Sequence, residues 1–194
     1  MNYIIFDLEA TCWEGWDKSA NETIEIGAIL VNDRKEIVSE CEQFVRPRKH
    51  PRLSEVCTEL TSIQQSDVDH APYFREAIEY FKEWFDFGKE DYRLCSWGFY
   101  DRKQLESDCV IHGLDDGWVE KHVSLKHQYA EFKNLRRAIG MKNALKAEEM
   151  ILEGKHHRGI DDARNIARIF IKYFNEYHCI YQRTYSIKEE NCFY

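Results

Sequence analysis

Asp7 and Glu9 stand two residues apart at the end of a short apolar run, Tyr3–Ile4–Ile5–Phe6. Three further polar groups able to join them, Asp101, His157 and Asp162, lie far away along the chain. On an extended strand, residues i and i+2 share a face with alpha carbons roughly 6.6 Å apart, so one cation can sit between two such carboxylates. Acidic groups drawn from separate segments repel one another and resist desolvation, and a fold tolerates them together around cations. With an imidazole that can accept a proton near neutral pH, the set suits metal-assisted hydrolysis of a phosphoester. Singly, each residue has a plainer reading. Asp7 and Glu9 could be a solvated pair at a strand end, and Asp101 could be an ordinary helix cap.

The segment His157–Arg158–Gly159–Ile160–Asp161–Asp162 narrows the choice. It opens a helix on which position 162 shares a face with Ile166, Ile169 and Tyr173, so the Asp162 carboxylate is expected to turn inward. Position 161 aligns with Asn165, Arg168 and Lys172, an expected solvent face, which makes Asp161 the expected cap. A helix N-terminus also favours an ionised carboxylate. His157, on the preceding loop, is the candidate proton acceptor, and His156 competes from one residue further away.

These groups need elements to hold them. Tyr3–Glu9 reads as a strand buried on both faces. Thr23–Asn32 and Glu36–Val45 follow as two more, joined by a tight turn at 32–35 into an antiparallel meander. Phe74, Ala77, Ile78, Phe81, Trp84 and Phe85 form one helical stripe, with Pro72 suited to its first turn. A strand at Tyr92–Trp97 and a helix at Asp101–His112 come next. Residues 124–153 read as short helical pieces, and Ala163, Ile166, Ala167, Phe170, Tyr173 and Phe174 as a final long helix. The order predicts a mixed sheet with helices on its faces.

At 194 residues with 43% hydrophobic content, one compact domain is expected, over residues 1–180, with 181–194 as a tail. The chain has no apolar run approaching the roughly 20 residues of a membrane helix. It has no basic leader either, so a cytoplasmic protein is expected. Seven cysteines without a CxxC pair fit reduced thiols better than disulfides or a zinc site. The formal net charge of −8 is unevenly spread: residues 121–172 carry twelve Lys/Arg against six Asp/Glu. Such a local excess permits a nucleic-acid partner, although a solvated face explains it equally.

The blocks FDLEATCWEG, IEIGAIL, FVRP, LSEVCTELTSI, SWGFYD and HHRGIDDARNIARI, in that order, resemble the motifs of the DEDDh 3′–5′ exonucleases. The branch they most resemble holds the Eri-type exoribonucleases and the KapD-like sporulation inhibitors. The resemblance runs from residue 2 to about 174. It implies an α/β, ribonuclease H-like fold with a central mixed five-stranded sheet and helices on both faces. It also implies two Mg²⁺ or Mn²⁺ ions, held by Asp7, Glu9, Asp101 and Asp162, with His157 as general base. The implied reaction is phosphodiester hydrolysis from a free 3′ end, releasing nucleoside 5′-monophosphates, with RNA favoured over DNA. Ala10 and Thr11 match positions that meet the terminal hydroxyl. Leu60–Thr61–Ser62–Ile63 matches a block that wedges the terminal base, with Thr61 and Ile63 as expected contacts and serine where the family has glycine. Trp13 and Tyr100 flank the ligands and are candidates to stack on bases, or else core aromatics. Arg158, Arg164, Lys133, Arg136 and Arg137 are candidates to steer the phosphates. A DNA-trimming enzyme with the same site, and a non-catalytic RNA- or protein-binding regulator, remain the alternatives.

Overall fold

A computed structural model describes residues 1–15 and 21–178. Its centre is a five-stranded sheet of order β3-β2-β1-β4-β5, formed by β1 (Asn2–Ala10), β2 (Thr23–Asn32), β3 (Ile37–Phe44), β4 (Tyr92–Ser96) and β5 (His122–Ser124). The first three strands are the expected antiparallel meander, while β4 and β5 run parallel to β1. The fifth strand is three residues long and shows no alternation in the sequence. Between β3 and β4 lie α1 (Glu55–Thr61), α2 (Gln65–Asp69) and α3 (Phe74–Trp84), between β4 and β5 lies α4 (Tyr100–His112), and after β5 come α5 (Leu125–Phe132), α6 (Met141–Ala147) and α7 (Gly159–Lys172). Tyr73, not Pro72, is the N-cap of α3, so the proline lies just outside the first turn.

Alternation along β1 feeds two cores. Tyr3 and Ile5 point to one face, where they meet Leu125, Met141, Ile166 and Phe170 of α5, α6 and α7. Ile4, Phe6 and Leu8 point to the other, against Phe74, Phe81 and Leu105 of α3 and α4. Helices therefore cover both faces, which is why β1 lacks a polar side until its end. Asp7 and Glu9 continue the Tyr3–Ile5 series, so they emerge on the α7 face. A smaller cluster of Ile24, Cys57, Ile63 and Val68 seats α1 and α2.

Among the described residues no helix is long and apolar enough to cross a membrane. The five described cysteines, Cys12, Cys41, Cys57, Cys95 and Cys109, are free thiols, three of them buried. Cys179, Cys192 and the expected tail at 181–194 lie outside the described residues.

Candidate active site

Two glycines decide where the site forms. Gly27 of β2 pairs with Asp7 of β1. A Cβ added at Gly27 would lie 2.0 Å from the carbonyl carbon of Gly159, and one at Gly159 would lie 3.0 Å from the Asp7 carbonyl oxygen. The first turn of α7 thus rests directly on the strand backbone beside Asp7, a contact that only glycine permits.

Glu25 secures that contact. Its fully buried carboxylate accepts hydrogen bonds from the backbone N–H of Gly159 (3.0 Å) and Ile160 (3.3 Å) and from Arg158 Nε (3.2 Å). Arg158, the N-cap, offers no side-chain cap of its own and instead reaches Glu42 of β3 at 2.7 Å. A strand carboxylate therefore satisfies the orphan donors of the helix and meets its positive dipole end. Glu25 escaped the sequence reading; the available signal was an acid inside the otherwise apolar Thr23–Val31 run. Asp161 is not the cap either. It accepts from Lys155 N (2.8 Å) and Arg164 (3.0 Å). Asn165, expected in solvent, is fully enclosed: Nδ2 donates to the Glu153 carbonyl (2.7 Å) and Oδ1 accepts from Glu153 N (3.0 Å). The chain around Glu153 folds back over that side of α7, which periodicity alone does not foretell.

With α7 in place, ligand oxygens of Asp7, Glu9 and Asp162 all lie within 4.8 Å of one another. Asp101 reaches the same cavity from the first turn of α4 but stands outside this tight trio. Its Oδ1 accepts from Leu8 N at 3.2 Å, at a point on β1 beyond the last pairing with β4. His156 and His157 complete the group, their rings stacked with centroids 3.9 Å apart. His156 Nδ1 lies 2.8 Å from Asp162 Oδ2, so a proton on that nitrogen is donated to the carboxylate. His157 meets Asp162 through its backbone N–H (3.1 Å), and its backbone is left-handed at φ 66°. Burial lowers the His157 pKa, the neighbouring His156 adds to this, and Asp162 opposes it.

The acidic groups are under strain from their own charges. Burial first, then Asp101, Glu9, Asp162 and Glu25, push the Asp7 carboxyl well above its usual range. Glu9 sits directly across from Glu25 in the sheet; burial and then Glu25 raise it to about 8. Burial raises Asp101 to about 6, although the Leu8 N–H pulls the other way. Like charges facing one another across strands destabilise a sheet, and a divalent cation reverses the sign of that interaction. The donor set, all oxygen with adjacent imidazoles, fits Mg²⁺ or Mn²⁺.

A pH dependence follows. In EDTA, the thermal midpoint is expected to rise as pH falls from about 8 toward 4.5, because folded Glu9 and Asp101 bind protons that unfolded carboxylates release. Saturating Mg²⁺ or Mn²⁺ should raise the midpoint most at the alkaline end and flatten the slope. A midpoint that falls over this window in EDTA, or that ignores both metals, would contradict the electrostatic account.

The group opens into a cavity of about 940 Å³. Ala10 and Tyr100 line it, and Tyr100 is 47% exposed rather than part of the core. Four expected substrate contacts, Thr11, Trp13, Thr61 and Ile63, do not line it. Thr11 is enclosed and its hydroxyl accepts from Glu22 N (2.9 Å). Thr61 donates to the Cys57 carbonyl (2.8 Å) and accepts from Ile63 N (3.1 Å), and Ile63 is core. Leu60, 45% exposed, is the residue of that block that faces the cavity. Ser62 adopts the left-handed conformation at the end of α1 (φ 62°), so the turn survives the exchange of glycine for serine. Trp13 packs edge-on against His50 at 4.8 Å and is outside the lining.

The cations also differ from expectation. Arg158 is held by Glu25 and Glu42, Arg164 by Glu40 and Asp161, and Lys133 by Glu148. Arg136 and Arg137 are exposed but do not line the cavity. Lys126 and Lys142 do line it, and sequence reasoning passed over both.

Residues 4–170 match the family described as Exonuclease (RNase_T). The chain is 30% identical to ERI1 exoribonuclease 2 of Xenopus laevis, covering 97% of this chain and 30% of the frog protein. It is 33% identical to 3′-5′ exoribonuclease 1 of Rattus norvegicus, covering 87% of this chain and 51% of that protein. The chain thus spans about a third of one of these relatives and about half of the other. Among solved structures, it resembles the nuclease domain of 3′hExo, a DEDDh family member, bound to rAMP. The TM-score is 0.84 and the identity 31%, over 90% of this chain and 92% of that one. With both its sequence and its fold aligned to these enzymes, the chain belongs to the exonuclease family, among its DEDDh members.

Proposed function

We propose that this protein is a divalent-metal-dependent 3′–5′ exonuclease that removes nucleoside 5′-monophosphates from RNA with a free 3′ end. The observation that carries this reading is the convergence of Asp7, Glu9 and Asp162 within 4.8 Å, beside two histidines, under an open cavity. Asp7, Glu9 and Asp162, with Asp101 at the rim of the trio, would hold two Mg²⁺ or Mn²⁺ ions. When bound, such ions acidify water and offset charge growing on the phosphate and the leaving oxygen. The protein's own groups do the rest. His157, kept neutral by its surroundings, takes the proton of the attacking water, while Asp162 holds its backbone in place. Lys126 and Lys142 add positive charge where the phosphate enters. Leu60 and Tyr100 offer apolar contact to the terminal base, and Ala10 flanks the sugar. The preference for RNA is supported by relatives named as exoribonucleases and by the structural relative that holds rAMP.

Incubation with 5′-labelled single-stranded RNA and Mg²⁺ should give a ladder shortened from the 3′ end, with no product in EDTA. Metal-independent cleavage, or attack from the 5′ end, refutes the proposal. Matched DNA in parallel reads the sugar preference, and a rate equal to that on RNA would shift the substrate class to both.

His157→Ala is expected to lower kcat by ~10²–10⁴-fold with little change in KM, as befits loss of a general base. His156→Ala should cost less, because its ring holds Asp162 rather than the reacting atoms. A larger loss in the His156 variant would reassign the base to that residue.

A further inference from the structure

Three of the cations expected to meet nucleic acid, Lys133, Arg158 and Arg164, are neutralised by carboxylates, and Arg136 and Arg137 do not line the cavity, yet a different part of the chain holds a cluster of cations. Residues 46–52, Arg46-Pro-Arg48-Lys49-His50-Pro-Arg52, contain four Lys/Arg and no acid. Arg48, Lys49 and Arg52 are exposed, and so is Arg75 nearby. Among the described residues no carboxylate pairs with any of these four. The cluster runs against the net charge of −8 that the chain carries as a whole.

The loop is built to present that charge. Glu22, almost fully buried, accepts hydrogen bonds from the backbone N–H groups of Arg48 (2.8 Å), Lys49 (2.8 Å) and His50 (3.2 Å). Its own charge is spent on the backbone, so the side chains are left to face outward. Arg48 and Arg75 border a hollow of about 340 Å³ with Tyr73, His112 and a single acid, Glu76. Arg75 donates to the His112 carbonyl at 2.8 Å, which fixes its head at this rim. The crowding is visible at His112: burial lowers its pKa, and Arg48, Arg75 and Lys49 lower it further against Glu22.

A short chain of contacts joins this surface to the cavity. Cys12 lines the cavity, Trp13 follows it and packs on His50, and His50 adjoins Lys49. Ser54, two residues beyond Arg52, donates to the Cys12 carbonyl and caps α1, the helix that carries Leu60. A basic track interleaved with rings, Trp13, His50 and Tyr73, leads away from the acidic pocket. That combination suits a single strand of nucleic acid, whose phosphates meet the cations while its bases find aromatic faces.

We propose that Arg48, Lys49 and Arg75, with Arg52 beside them, bind the phosphate backbone of the RNA strand upstream of the 3′ end held in the cavity. This rests on the function proposed above and assigns it a second binding surface. Length selectivity is the consequence: a strand long enough to reach the track is held at both places, a trinucleotide only at the cavity.

Fluorescence anisotropy with a labelled oligouridine of about 20 nucleotides, in EDTA and across a KCl series, tests it. The variant Arg48→Ser/Lys49→Ser/Arg75→Ser should bind ~10–100-fold more weakly, and its slope of log K against log salt should shrink by ~2, at ~0.7 per phosphate contact. Arg48→Lys/Arg75→Lys, which retains the charge, should keep both. In Mg²⁺, the advantage of the long oligonucleotide over a trinucleotide in trimming rate should collapse in the serine variant. If the serine variant matches the wild type in affinity and slope while the wild type still trims RNA, the second surface is refuted and the exonuclease reading stands. Equal losses in the lysine and serine variants would refute it too, since charge would not be the cause. A wild type that neither binds nor trims either oligonucleotide overturns both proposals.

Discussion

Replacing Asp7 with alanine is expected to lower Mg²⁺-dependent RNA trimming at least ~1000-fold, about 4 kcal/mol of transition-state stabilisation, while making the metal-free protein more stable. Both halves arise from one geometry. Asp7 sits at the centre of the acidic group, with Glu9, Asp101, Asp162 and Glu25 all acting to raise its pKa. Removing it deletes an oxygen donor that no neighbour replaces, because Glu9 faces Glu25 and Asp101 is engaged by the Leu8 N–H. The same deletion relieves repulsion among the carboxylates that remain. Active sites commonly carry strain that their chemistry needs. Single-turnover trimming and a thermal melt in EDTA, on the same preparation, read the two effects. Trimming retained within about tenfold, or a large drop in the metal-free midpoint, would place Asp7 in a structural role instead.

Gly27→Ala is expected to be the most damaging exchange of one small residue for another. The added Cβ would meet the Gly159 carbonyl carbon at 2.0 Å and the Ile160 nitrogen at 2.1 Å. Both are backbone atoms, so no side chain can rotate away and α7 itself must shift. A cost of about 3 kcal/mol or more is expected. Activity should fall with it, because Asp162 and His157 ride on that end of α7. Gly98→Ala is the comparison, since a Cβ there meets nothing within 4 Å. Chemical denaturation of both variants decides the matter, and equal stability in the two would mean the α7 contact is loose.

Much of this arrangement is readable before any coordinates. Apolar runs bounded by turn residues locate β1 to β4, and helical periodicity locates α3 and α7, because most of them bury a long stretch of side chains in one or both of the cores. The same logic puts Asp7 and Glu9 on one face and turns Asp162 inward. What escapes is whatever depends on a second layer of contact. Three residues are too few for β5 to show alternation, and α1 and α2 bury only part of one side. Asn165 looks solvent-facing until the chain at Glu153 covers it. Thr11, Thr61 and Ile63 match a recognition motif yet support it from beneath, and spacing cannot separate a residue that touches a ligand from one that props its neighbour. Arg158, Arg164 and Lys133 fail for a related reason: a count of charges says nothing about which carboxylates the fold brings to them.

The seating of α7 on Gly27 also sets an order of events during synthesis. Asp7 and Glu9 leave the ribosome about 150 residues before His157 and Asp162, which join them only when that helix docks. Contacts between such distant parts of a chain form late in folding. Until α7 docks, a partly folded copy therefore holds only part of the acidic group, with Asp7 and Glu9 present but Asp162 and His157 not yet beside them.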